Sequence, residues 1–165
     1  MNIVHGHAAS GPSDRRAAAQ LCDTEDRIAV LLSRLAPAVA APLREARSQL
    51  QAQFARGYEL VYDTPTALVF AIASGPRSAQ TLLSIAGQAR RVTLFFAQGH
   101  GLHDPQGLLH GEPGTLRRMT LAGGGDLARP AVRALIEQAV APHAQALRQA
   151  PPLTTLLKTQ REPTA

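Results

Sequence analysis

Ring side chains are scarce in this sequence: aromatic residues make up 4%, as four Phe and two Tyr with no Trp. Any core must therefore be built from Leu, Val, Ile and Ala. A single cysteine, Cys22, excludes an intrachain disulfide. Lysine is nearly absent, since Lys158 is one among 17 basic residues and the other 16 are Arg. No apolar run approaches the ~18 residues a membrane helix needs. The start, Met1 to His7, lacks the apolar stretch of a secretory signal. These absences lead to the expectation of a cytoplasmic protein with no membrane partner.

What is present fits one folded domain. The chain has 165 residues, 45% of them apolar and 18% charged, within the range of globular proteins and long enough for a core without staples. The pI of about 10.6 reflects missing groups that titrate between neutrality and strong alkali more than a strong field, because the net charge is only +5. Basic and acidic residues are also evenly spread: 7 and 5 in residues 1–56, 5 and 4 in 57–122, and 5 and 3 in 123–165. A nucleic-acid face needs clustering, so nucleic acid is not the expected partner.

Periodicity divides the chain. Residues 1–22 have no sustained apolar period and read as a mobile tail. Asp23 resembles an N-cap for a helix over 24–36, in which Ile28, Leu31, Leu32 and Leu35 share one face. Pro37 opens a second helix to about Arg56, with Val39, Leu43, Ala46, Leu50 and Phe54 inward and Arg44, Glu45 and Arg47 outward. From Gly57 the period changes to two. Strands are predicted over 58–63, 67–73, 81–85, 91–97 and 116–121, separated by turns at Asp63-Thr-Pro65, Ser74-Gly-Pro-Arg77 and Gly87 to Arg90 and by a glycine-rich loop over 99–114. A helix over 129–149 follows, which Pro142 can bend, and the Pro/Thr-rich tail 151–165 reads as disordered. The single domain is thus placed at 23–150.

Short connections between consecutive strands imply an antiparallel meander, and helices on either side in sequence imply one helical layer. The expected class is α+β with two layers, a five-stranded mainly antiparallel sheet with the N-terminal and C-terminal helices on one face. Strands 67–73 and 91–97 carry apolar residues on both faces, which a sheet with one wet face does not need. A self-association surface making a homodimer, the 98–114 loop or an apolar ligand are three ways to cover the second face.

Three segments, Val92-Thr-Leu-Phe-Phe-Ala-Gln-Gly-His-Gly-Leu-His-Asp-Pro-Gln-Gly-Leu-Leu-His-Gly111, Leu116-Arg-Arg-Met-Thr-Leu121 and Asp126-Leu-Ala-Arg-Pro-Ala-Val-Arg-Ala-Leu-Ile136, together with Glu59-Leu-Val-Tyr-Asp63, resemble the YdhG-like family, domain of unknown function 1801, over about residues 40–141. The resemblance implies a helix, antiparallel-sheet, helix fold and supplies no reaction. Some relatives are discussed as frataxin-like iron chaperones, a role that needs an acidic surface. Here Glu25, Asp26 and Glu45 stand among seven arginines in residues 1–56. The loop also departs from the family pattern, with His103 at a usual Pro and Glu112-Pro113-Gly114 at a Ser-Gly-Lys.

Site candidates follow from residue chemistry. His100, His103, His110 and Asp104 supply ligands that zinc or iron accepts, within a flexible loop. Asp104 before Pro105 also suits a turn in which its carboxylate accepts backbone N–H groups. Of Arg117 and Arg118, alternation on a strand sends one inward, where it binds an anion or pairs with Asp63 or Asp104; pairing is the favoured reading. Tyr62, Asp63, Phe96, Asp104 and Arg117 form the ligand-binding candidate set. No Ser-His-Asp order, phosphate loop or paired-carboxylate motif occurs, so no catalytic residue and no cofactor are expected. The function expected is a non-catalytic domain that binds a small ligand or a protein partner, with a metal-handling protein as the alternative.

Overall fold

Pro12 fixes φ at the first position of a helix that runs far ahead of the expected start. The computed structural model describes residues 11–111 and 116–158, apart from the side chain of His100. Helix α1 spans Pro12–Ser33 with Gly11 as its N-cap, so 12–22 is helical rather than a tail and Asp23 is mid-helix; residues 1–10 lie outside the described residues. The expectation failed because it sought an apolar period, whereas this stretch has Pro at its first position and Ala17 to Ala19 inside, a helix carried by propensity and not by burial. Only Ile28 and Leu32 of α1 are buried.

Helix α2 (Pro37–Gln53) follows, then a meander of five strands: β1 (Tyr58–Asp63), β2 (Leu68–Ala73), β3 (Thr81–Gly87), β4 (Val92–Phe96) and β5 (Arg117–Leu121). Each pairs antiparallel with its neighbour. Gly57 makes the change from helix to strand: its φ is +122°, and a Cβ there would stand 3.0 Å from the Ala73 carbonyl oxygen. The remaining helices are α3 (Pro130–Val140) and α4 (Ala144–Gln149), with Pro142 in the 3-10 turn Ala141–His143 between them.

The sheet has six strands, not five. Residues 154–158, expected to be disordered, form β6 (Thr154–Lys158), which lies parallel to β1 and gives the order β5-β4-β3-β2-β1-β6. The Pro151-Pro152 pair masked a Thr-Thr-Leu-Leu run of good strand residues. Residues 159–165 lie outside the described residues. The class is α+β with a mixed open sheet.

Strand alternation sorts the two faces. Leu68, Phe70 and Ile72 of β2, Leu83 and Ile85 of β3 and Val92, Leu94 and Phe96 of β4 meet Leu43, Leu50, Leu127, Val132 and Leu135 from the helical side in one continuous core. Gly87 lets α2 lie close to β3, since a Cβ there would come within 2.5 Å of Leu43 Cδ2. On the outer face Leu60, Ala71 and Ala73 form a second, small cluster under Tyr58, Tyr62 and Leu156. The connection from β2 to β3 folds back over this patch: Lys158, level with Tyr62 in the β1–β6 register, donates from its ammonium to the carbonyl of Pro76, three residues past Ala73. The described part of the 98–114 loop turns Leu102, Leu108 and Leu109 into the main core rather than over the outer face. No helix among the described residues is long and apolar enough to cross a membrane.

Candidate functional site

A groove between α1 and the β1–β6 edge is the concave feature in which the most contrasting chemistry meets. Helix α1 shows it Arg27, Val30, Leu31 and Arg34, at i, i+3, i+4 and i+7, a single stripe beside the Ile28 and Leu32 stripe that faces the core. Val61 and Asp63 from β1 and Leu157 and Lys158 from β6 complete a cavity of about 460 Å³. Its floor is apolar, and Val30 on the wall is 54% exposed. Two guanidiniums and one carboxylate ring that floor, while the ammonium of Lys158 is engaged by the Pro76 carbonyl on the outer face. Arg34 lies 3.5 Å from Asp63, both well exposed, and Arg27 makes no hydrogen bond or ion pair among the described residues. The groove continues along α1 into a wider one of about 840 Å³ that shares Arg27 and Leu157 and runs past Leu21 and Thr155.

A buried polar cluster sets the walls of this groove. Arg47 on α2 donates from Nε and Nη2 to Glu59 on β1 and from Nη1 and Nη2 to Glu25 on α1. Glu59 also accepts from Gln51 at 3.3 Å and from the Thr155 hydroxyl on β6 at 2.8 Å. One carboxylate thus ties α2, β1 and β6, and the guanidinium adds α1. Hydrogen bonds from Arg47 hold the Glu25 carboxyl below the usual carboxylate value, against the opposing effect of its partial burial. Burial works against the charge of Arg47, yet its hydrogen bonds to the two carboxylates leave it more firmly protonated than a free arginine. The expectation that Arg47 faces outward is corrected. Leu43, Ala46, Arg47 and Leu50 are all buried on one side of α2, and the spacing of Arg47 from Leu43 and Leu50 carries that signal in the sequence.

The expected ligand-binding residues do not converge. Tyr62 and Asp63, adjacent on β1, point to opposite faces, and only Asp63 reaches the groove. The Tyr62 hydroxyl is buried without a hydrogen-bond partner among the described residues, and burial pushes its pKa up. Phe96 is fully buried in the core. Asp104 accepts from the backbone N–H groups of Leu108 and Leu109 at 3.0 and 2.9 Å, the turn role. Arg117 is the member of its pair on the helical face of the sheet; its Nη2 donates to the Leu109 carbonyl rather than to Asp63 or Asp104. Asp104 and Arg117 therefore meet only through Leu109, as a clasp that closes the loop onto β5.

The described metal candidates of the same loop form no cluster. His103 is exposed, with its backbone N–H and C=O both bonded to Gln138 on α3, and His110 exchanges backbone bonds with Arg118. The His100 side chain and Glu112 lie outside the described residues. Among the described residues no group of three His, Cys, Asp or Glu side chains is placed to hold a metal ion. No protein-family model, curated protein or solved structure matches this chain.

Proposed function

We propose that this protein is a non-catalytic binding domain whose ligand is a small amphipathic anion held in the groove between α1 and the β1–β6 edge. The observation that carries the reading is the stripe Arg27, Val30, Leu31 and Arg34 over the apolar floor of Val61 and Leu157. A carboxylate on an apolar body fits both halves: its tail takes the place of water on the floor, and its head meets Arg27, whose guanidinium has no partner among the described residues. The volume, about 460 Å³, is in the range small ligands occupy. Asp63 is engaged by Arg34, and the described residues of the groove present no nucleophile beside a base, which supports binding over catalysis. The segments quoted above from Val92 to Ile136 also support a proposed kinship with the YdhG-like family, in which the same helix, antiparallel-sheet, helix order is implied.

Calorimetry with octanoate and octylamine on the whole chain tests the reading. Octanoate should bind with a Kd tighter than ~1 mM, the amine should not, and Arg27→Ala with Arg34→Ala should weaken octanoate by at least tenfold. Equal binding of the two probes, or none of either, would overturn it.

A further inference from the structure

The outer face of the sheet carries a second concave site at the corner of β4 and β5, about 270 Å³ in volume and lined by Gln88, Arg91, Thr93, Phe95, Arg118 and Thr120. Alternation brings these together: Phe95 is directly opposite Arg118, and Thr93 opposite Thr120. Gln88 and Arg91 close the β3–β4 hairpin, the Gln88 N–H donating to the Arg91 carbonyl at 2.9 Å.

The hydrogen bonds within the corner decide what faces out of it. Gln88 Oε1 accepts from Arg91 Nε and from the Thr93 hydroxyl, each at 3.3 Å. Because an arginine Nε–H only donates, the atom beside it must be the carboxamide oxygen. Both lone pairs of that oxygen are then taken, and the Gln88 amino group is the part left for a ligand. Arg91 keeps its two terminal amino groups, and Arg118 makes no side-chain hydrogen bond or ion pair among the described residues. No carboxylate among the described residues lines the site. It therefore offers donors, from two guanidiniums and an amide, with the Thr120 hydroxyl, unbonded among the described residues, able to donate as well. A set of this kind selects an oxyanion, and the fork of a guanidinium matches phosphate better than an ammonium does. The half-buried ring of Phe95 lies beside these donors, a flat apolar surface for whatever carries the anion.

We propose that this corner binds a phosphate monoester borne on an aromatic ring, the phosphate held by Arg91, Arg118 and Gln88 and the ring against Phe95. The site is on the opposite side of the sheet from the groove proposed above and does not depend on it.

Phenyl phosphate and inorganic phosphate, titrated into the full chain by calorimetry with octanoate as a control, test the assignment. Phenyl phosphate is expected to bind more tightly than inorganic phosphate. Arg118→Ala should weaken phenyl phosphate at least tenfold, Arg118→Lys less, and neither should change octanoate binding. Phe95→Leu should bring phenyl phosphate down to the level of inorganic phosphate, with far-ultraviolet circular dichroism checking that the variant is folded. Absence of phenyl phosphate binding at millimolar concentration, or binding unchanged in both Arg118→Ala and Arg91→Ala, would overturn the site. Equal binding of the two phosphates in the wild type would overturn its aromatic half.

Discussion

Arg47 and Glu59 share two hydrogen bonds, Nε to Oε1 at 2.9 Å and Nη2 to Oε2 at 2.8 Å, with their side chains only 8% and 1% exposed. The guanidinium also lies 4.9 Å from the centroid of the Phe70 ring, an added attraction in a desolvated setting. Taking both charges out of water is costly, and their attraction offsets that cost only while both are present.

Removing one partner should therefore be severe. Arg47→Met leaves Glu59 buried with Gln51 and Thr155 as its donors, and urea unfolding should show a loss of about 3–5 kcal/mol. The double variant Arg47→Met, Glu59→Leu, which removes both charges, should recover at least half of that. A single-variant loss below about 1 kcal/mol would mean that the pair is not holding the layers together.

Glu25 gives the same cluster a pH dependence. Its folded pKa is lowered from 4.5, chiefly by hydrogen bonds from Arg47, so its contribution is fully present above the unfolded pKa and is lost as pH falls through the folded value. Stability should drop as acid is added below about pH 4.5, by less than ~1 kcal/mol from this group because Glu25 is half exposed and screened. In Glu25→Gln that part of the slope should vanish. An unchanged acid limb in the variant would place the dependence elsewhere.

Tyr62 tests the outer face. Its hydroxyl is buried with no partner among the described residues, so Tyr62→Phe should be neutral or should stabilise by up to about 1 kcal/mol, unlike a change that breaks a bond. Burial raises its pKa above 10.0. The stability linked to that proton is thus complete below the unfolded pKa and is lost as pH rises through the folded one. In Tyr58→Phe, where Tyr62 is the remaining tyrosine, absorbance titration should be displaced to higher pH than a free phenol. Titration at the ordinary value would contradict the burial.

The Asp104 clasp makes a local prediction. Asp104→Ala removes the acceptor of two backbone N–H groups and should cost about 1–2 kcal/mol. Hydrogen exchange at Leu108 and Leu109 should accelerate, while β2 and β3 keep their protection. Unchanged exchange at those two amides would show that Arg117 and the core hold the loop without the carboxylate.

The five meander strands are legible because turns at Thr64, Ser74 and Gln88 and the loop before β5 interrupt a period of two, and that period depends on neighbours close in sequence. Two elements escaped for opposite reasons. The first half of α1 buries nothing, so no apolar pattern marks it, and β6 is five residues behind two prolines whose partner, β1, is distant in sequence. The site was less legible still. Asp104 before Pro105 is legible as a turn residue, but the groove needs α1, β1 and β6 side by side, and no local pattern reports that Arg27 and Leu157 line one cavity. Arg47 was legible in principle, since it falls on the apolar side of α2. Charge outweighed spacing in that reading, and the partner that makes its burial possible, Glu59, sits on a different element.

The parallel pairing of β6 with β1 has a consequence for synthesis. Thr155 bonds to Glu59 across a separation of 96 residues, and β1 keeps one edge bare until Thr154–Lys158 have cleared the ribosome. The nascent chain can close its hairpins from β1 to β5 early, because each needs only its neighbour in sequence. Meanwhile Glu59 has one of its donors missing and β1 offers a free edge to any other extended chain, as unpaired strands do. The interval between the emergence of β5 and that of β6 is when this protein is most exposed to mispairing, and a chaperone that shields an apolar strand edge would matter most then.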